Sequence, residues 1–337
     1  MPRSISVRPF EQSDISAAAG YLAARHRAGR TRFPLLPGRF ENEDACNELL
    51  RSVTRFARGY AAQADGTLAG FLFGIQNLPA PTSTSARFGP ERGSMMFAHG
   101  HAVAPESDPG PIYNAVFAAF AVDSLRDGIF DHSAHVPSGD RVVEQAWVDL
   151  GFGRATAVAA RDTSPLAAPP AMRDVRRATL ADLDVVCAIG DAGDAYHSGP
   201  PMFNPYAGKE TAEAGREDMR ASLADETQAI FIGFVDGEPA GILRVEPPKG
   251  SPLFVPDNAC YIGDTAVLAE ARGTGLGGAL LEEALAWARS QHFAAVTLHY
   301  QTANPLSSAF WTGHGFKPVM YHLRRRLDER IAWARPS

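Results

Sequence analysis

The chain has 337 residues, about twice a usual domain length, and its 45% hydrophobic, 9% aromatic and 21% charged residues predict two packed cores and exclude disordered, collagen-like and coiled-coil classes. Thirty-two Lys and Arg against 38 Asp and Glu give a formal charge of −6, which argues against nucleic acid as a partner because a phosphate backbone needs a basic surface. The longest apolar run, Ala115 to Val122, falls far short of the about 20 residues of a bilayer span, and Cys46, Cys187 and Cys260 show neither metal nor disulfide spacing, so a cytoplasmic protein with no membrane partner is expected.

A long repeat organises the chain. Val7-Arg8 followed by Ser13-Asp14-Ile15 predicts a strand and a helix start, and the pattern returns 168 residues later as Val175-Arg176 and Ala181-Asp182-Leu183. Gly59 to Ala62, the turn Asp65-Gly66 and Ala69 to Leu72 predict a hairpin, echoed by Phe231 to Val235, Asp236-Gly237 and Ala240 to Leu243. Ala98 to Val103 predicts the next strand, with His99 and His101 on one face by the period of two, and a helix should begin near Pro111. Trp147, Gly151 and Phe152 recur 164 residues on as Trp311, Gly315 and Phe316. Between the copies, Asp162 to Met172 carries Pro165, Pro169 and Pro170 and reads as a linker. Domains are therefore expected at 1–163 and 173–337, joined by 164–172. Each is expected to be an α/β (α+β) unit, a mixed sheet with helices on it.

The stretch richest in chemistry lies in the second copy. Tyr261 to Val267 reads as a strand, and Arg272-Gly273-Thr274-Gly275-Leu276-Gly277-Gly278 opens a helix whose apolar positions Leu280, Leu281, Ala284, Leu285 and Ala288 recur at helical spacing. Glycines let a ligand approach the backbone, and the unpaired amides of a helix start attract phosphate oxygens. Gly273-x-Gly275-x-x-Gly278 also satisfies a dinucleotide fingerprint. However, it does not follow a strand directly, and the apolar Val296-Thr297-Leu298 stands where the acidic residue should be.

Arg272-x-x-Gly275-x-Gly277 resembles the Arg/Gln-x-x-Gly-x-Gly/Ala acyl-coenzyme A signature of the GNAT acetyltransferases, and Asn304, Trp311 and Gly315-Phe316 resemble that family's Asn…Tyr…Gly-Phe segment. The resemblance spans nearly all of residues 173–327 in element order. It implies two tandem GNAT-like domains with a degenerate N-terminal copy, and an acetyl-CoA co-substrate held by Ala266, Val267, Leu268, Arg272 to Gly278, Asn304, Ser307 and Trp311. In the family two central strands splay apart to admit pantetheine, so an amide near Val267 would polarise the thioester carbonyl. Asp264, three residues before Val267, is the candidate general base for an amine acceptor. The sequence departs from the family at Trp311, because an indole is no acid for the leaving thiolate.

The function expected is N-acetyl transfer from acetyl-CoA to a primary amine of a small molecule or peptide, by direct attack; the alternative is a non-catalytic acyl-CoA sensor or scaffold. No metal is expected. The resemblance sets His132 and His135 beside His99 and His101, but such histidines usually serve as polar packing. Tyr196, His197, Phe203 and Tyr206 resemble acceptor-side loop residues, and Arg324-Arg325-Arg326 should lie on a solvated sheet edge. Pro105 to Pro111 replaces the glycine loop in the first copy. Its prolines lack amide hydrogens, and Glu106 and Asp108 repel phosphate, so one cofactor per chain is expected, in a monomer with pseudo-dimeric halves or in a homodimer.

Overall fold

A computed structural model describes residues 5–78, 90, 92–167, 174–204 and 209–332; the linker positions 168–172, residue 173 and Tyr206 lie outside the described residues. The first half runs β1 (Ile5–Pro9), α1 (Ile15–Arg32), α2 (Glu43–Val53), β2 (Arg58–Ala64), β3 (Thr67–Asn77), β4 (Gly93–Val103), α3 (Pro109–Arg126), β5 (Asp131–Pro137), α4 (Arg141–Asp149) and β6 (Gly153–Asp162). The second half repeats this order: β7 (Asp174–Arg177), α5 (Leu183–Ser198), α6 (Lys209–Ala224), β8 (Ala229–Val235), β9 (Glu238–Glu246), β10 (Ala259–Val267), α7 (Leu276–Ser290), β11 (Ala295–Gln301), α8 (Pro305–Gly313) and β12 (Lys317–Arg326). Local chemistry repeats with it. Arg8 grips Asp14 at 2.7 Å, and Arg176 grips Asp182 at 2.7 Å, each tying a first strand to its helix start. Both Asp-Gly turns are left-handed, with φ of 52° and 80° at Asp65-Gly66 and 52° and 83° at Asp236-Gly237, the geometry that suits a two-residue hairpin.

The strands of the described residues join one mixed sheet in the order β1-β2-β3-β4-β5-β12-β6-β11-β10-β9-β8-β7. The halves exchange their last strands: β6 pairs with β11 of the second half, and β12 pairs with β5 of the first. A division at 1–163 and 173–337 thus follows the repeat but cuts across the sheet. Nor is Arg324-Arg325-Arg326 on an edge, since β12 is central; Arg324 is held by Asp131 at 2.9 Å and Arg325 lies over the Phe117 ring.

Core composition fixes the faces. Phe71 and Phe73 pack with α1 and α2 while Leu72 packs with α3 and α4, and Ile242 packs with α5 and α6 while Leu243 packs with α7. On β6, Ala160 belongs to the α1 side and Ala157 and Ala159 to the α7 side, so α1, α2, α5 and α6 share one face. The β9–β10 loop crosses between halves: Leu253 and Phe254 bury in the first half's core, and Asp257 meets Arg39 at 2.7 Å.

Candidate active site

Strands β10 and β11 run parallel and pair from Ala259 opposite Ala295 to Ile262 opposite Leu298, where the pairing stops although both strands continue. On its other side β10 stays paired with β9 as far as Val267 opposite Gly241, with a bulge between Ile262 and Thr265. The Leu268 amide donates to Ala240 O at 2.9 Å, so by antiparallel alternation the backbone groups of Val267 face away from β9, into the gap. Arg272 Nε donates to Val267 O at 3.2 Å, and its guanidinium lies 4.7 Å from the centre of the Tyr196 ring. Ala266 lies on the α5 side, where a Cβ at Gly193 would come within 3.1 Å of it.

Beside the gap the loop turns sharply. Gly273 has φ 79° and Gly275 φ 90°, a region costly to any residue with a Cβ. Thr274 Oγ1 donates to Ala271 O at 2.8 Å, closing the loop. Gly275 is the N-cap of α7 and no side chain caps it, so Leu276, Gly277 and Gly278 offer the first amides, which have no intrahelical partner. Leu276 is buried against Gly233, where a Cβ would come within 2.5 Å of it, and a Cβ added at Gly277 would come within 3.1 Å of the Phe310 ring. The loop is therefore pinned by packing while its amides stay open, a seat for an anion.

Asp264 is 59% exposed and sits 3.4 Å from Arg244, which also holds Asp218 at 2.7 Å and the buried Glu246 at 3.2 Å. Asn304 caps α8, accepting from the Leu306 and Ser307 amides at 3.1 and 3.2 Å, and its Nδ2 meets His197 Nε2 at 3.1 Å. Trp311 is buried with Phe316 in the core, ring centres 5.3 Å apart. The structure thus gathers Asp264, Ala266 to Leu268 and Arg272 to Gly278 around one gap, and gives Asn304 and Trp311 structural partners. Tyr196 and His197 stand on helix α5 rather than a loop, and Phe203 is exposed.

The first half has the same gap, filled. β4 and β5 pair only from Gly93 opposite Asp131 to Met96 opposite Ala134. Arg25 of α1 reaches this edge and donates to the carbonyls of Ala98 and His101, while His101 Nε2 bonds His135 O of β5 at 2.9 Å. Residue 25 corresponds, at the repeat's offset of 168, to Gly193, so α5 has no side chain at the position from which Arg25 enters the first gap. At the helix start, Asp108 caps α3 through the Gly110 amide at 3.1 Å, a carboxylate where α7 has an open end.

Contrary to the period-two expectation, His99 and His101 do not share a face, because the β3–β4 register shifts between Leu72 and Gly74. His101 packs on Tyr113 and Trp147, whereas His99 stacks on Phe97 and meets Ser251 at 3.2 Å. His132 bonds Ser94 Oγ at 2.7 Å, and no group of His, Cys, Asp or Glu among the described residues could hold a metal ion. Sequence reasoning missed Arg25 and a pair at the second gap: Tyr261 Oη bonds His299 Nδ1, and His299 is the first residue of β11 after pairing ends. No helix among the described residues is long and apolar enough to cross a membrane.

Residues 198–316 match the model of the acetyltransferase (GNAT) family. Among solved structures, a GCN5-related N-acetyltransferase from Sphaerobacter thermophilus is 15% identical over 96% of this chain and 95% of that one, with a TM-score of 0.58, which shows a shared fold. A tandem GNAT protein from the clavulanic acid biosynthesis pathway is 18% identical over 96% of this chain and 98% of that one, with a TM-score of 0.46.

Proposed function

We propose that the second half of this chain, where residues 198–316 match the GNAT family and the whole chain shares the fold of a GCN5-related N-acetyltransferase, transfers an acetyl group from acetyl-CoA to a primary amine. The observation that carries this reading is the open edge of β10 lying beside the uncapped glycine start of α7. The amides of Leu276 to Gly278 suit the pyrophosphate, with Arg272 bracing the loop. The Val267 amide suits the thioester oxygen, on which negative charge grows as the amine attacks. Ala266 and Leu268 flank that contact, and Asn304 and Ser307 support it from the α8 start.

An alkylammonium, with a pKa of about 10, must lose a proton before it can attack. Asp264 is the candidate base carried by the sequence; its exposure and its contact with Arg244 support a second role, drawing the cationic acceptor to the gap. The first half acts as a wall rather than as a second site, since Arg25 occupies carbonyls of β4 at the gap and Asp108 takes an amide at the start of α3. Trp311, buried and without a hydroxyl, is the observation that favours the non-catalytic alternative, an acyl-CoA sensor. Release of free thiol from acetyl-CoA on addition of an alkylamine tests the reading; tight acetyl-CoA binding without amine-dependent release supports the sensor.

A further inference from the structure

Strand β11 carries Val296, Leu298 and Tyr300 into the α7 core, so His299 points to the opposite face, the one shared by α5. It stands one residue past Leu298, the last residue paired with β10, at the point where the two strands begin to part. Its ring lies 5.9 Å from that of Tyr261, nearly parallel at 23°, with Nδ1 hydrogen-bonded to Tyr261 Oη. Tyr261 is buried at 6% exposure and held in a fully paired part of the strand, so it is a rigid support. His299 itself is open to solvent on one side.

Resting on the acyl-transfer reading, we propose that His299 is the general base for the amine acceptor, with Tyr261 as its positioning residue and Asp264 limited to attracting the cation. In the productive tautomer Nδ1–H donates to Tyr261 Oη, which leaves the Nε2 lone pair to take one proton from the ammonium. The freed amine forms the C–N bond, the C–S bond breaks, a second N–H proton passes to the thiolate, and His299 returns its proton to water. The groups facing His299 are Tyr261 and Asp264 of β10, Lys249 beyond the end of β9, His197 of α5 and His322 of β12, with Glu246 behind Tyr261. Surrounding protein lowers the His299 pKa, opposed by Asp264, so the ring is neutral and able to accept near pH 7. Asp264, by contrast, has Arg244 at 3.4 Å.

The test uses the full chain and its His299→Gln and Tyr261→Phe variants, with acetyl-CoA and two probes, n-butylamine and hydroxylamine. Hydroxylamine is already neutral at pH 7 and needs no base. His299→Gln should lower kcat for butylamine about 10²–10⁴-fold while changing hydroxylamine turnover by less than about threefold, a split that a merely structural role would not produce. Tyr261→Phe should shift the acidic limb of the butylamine pH profile. Equal losses with both amines, or butylamine turnover within twofold of the parent in His299→Gln, overturns the assignment while leaving acyl transfer standing. No thiol release above the enzyme-free rate by the parent with either amine overturns the underlying reading, and this inference with it.

Discussion

Replacing Gly275 separates backbone cost from ligand contact. Its φ of 90° and ψ of −3° place it in the left-handed region, where adding a Cβ costs about 1–2 kcal/mol. If the loop relaxes to relieve that strain, the amides of Leu276 to Gly278 swing off their common target. A charge-assisted hydrogen bond is worth about 1.5–3 kcal/mol, and each 1.4 kcal/mol is tenfold in affinity, so losing one contact weakens coenzyme A binding roughly 10–150-fold. Gly275→Ala should show that loss in calorimetric titration with only a modest fall in the thermal midpoint. Gly275→Glu should bind more weakly still, because its carboxylate faces the phosphates. The control is Gly66→Ala, which has φ 80° with nothing within 4 Å of the added Cβ and lies in the first half's hairpin turn. It carries a similar backbone penalty and should keep the parent's affinity. Equal affinities in folded Gly275→Ala and Gly66→Ala would remove the glycine loop from the site.

Asp264→Asn should raise KM for a cationic amine while changing kcat by only a few-fold; a 10²–10⁴-fold fall in kcat instead would assign the base to Asp264. Arg25→Met strips donors from the carbonyls of Ala98 and His101, at about 1–3 kcal/mol for each unsatisfied group, and should lower the urea midpoint without changing coenzyme A affinity, whereas Gly193→Arg should fill the second gap and weaken that affinity at least about tenfold; a strengthened or unchanged affinity in folded Gly193→Arg would refute the correspondence. Burial depresses His101 to a pKa of about 3 and His132 to about 4, so the unfolded chain, near 6.5, takes up protons first as pH falls. Their contribution is complete above about 6.5 and erodes through the window below it, costing about 2 kcal/mol for each histidine between pH 7 and 5. A urea midpoint equal at pH 7 and 5 would contradict this.

The repeat, both hairpins and the helix opening at Gly275 were legible because each rests on local chemistry: Asp-Gly turns, an Arg–Asp grip at each helix start, glycines before an apolar helix. Strand exchange was not legible. Alternation along β6 and β12 fixes which side chains share a face, but Ala157 and Tyr321 can sit beside either neighbour without violating it, and only the assembled sheet selects β11 and β5. His101 escaped for a related reason, since a register shift on β4 changes the face and leaves no mark in the period. Arg25 looks like an ordinary helix surface residue until α1 is laid on α5 at the same offset of 168, which sets it against Gly193; that signal was present in the sequence. His299 belongs to no motif, and its meaning comes from where pairing with β10 ends.

The central claim, one acyl-CoA site per chain and that site in the second half, is tested most directly by the stoichiometry of acetyl-CoA titrated into the full chain by calorimetry. One equivalent per chain, lost in Gly275→Glu, is the result predicted. Two equivalents of comparable affinity, or one that survives Gly275→Glu, would contradict it.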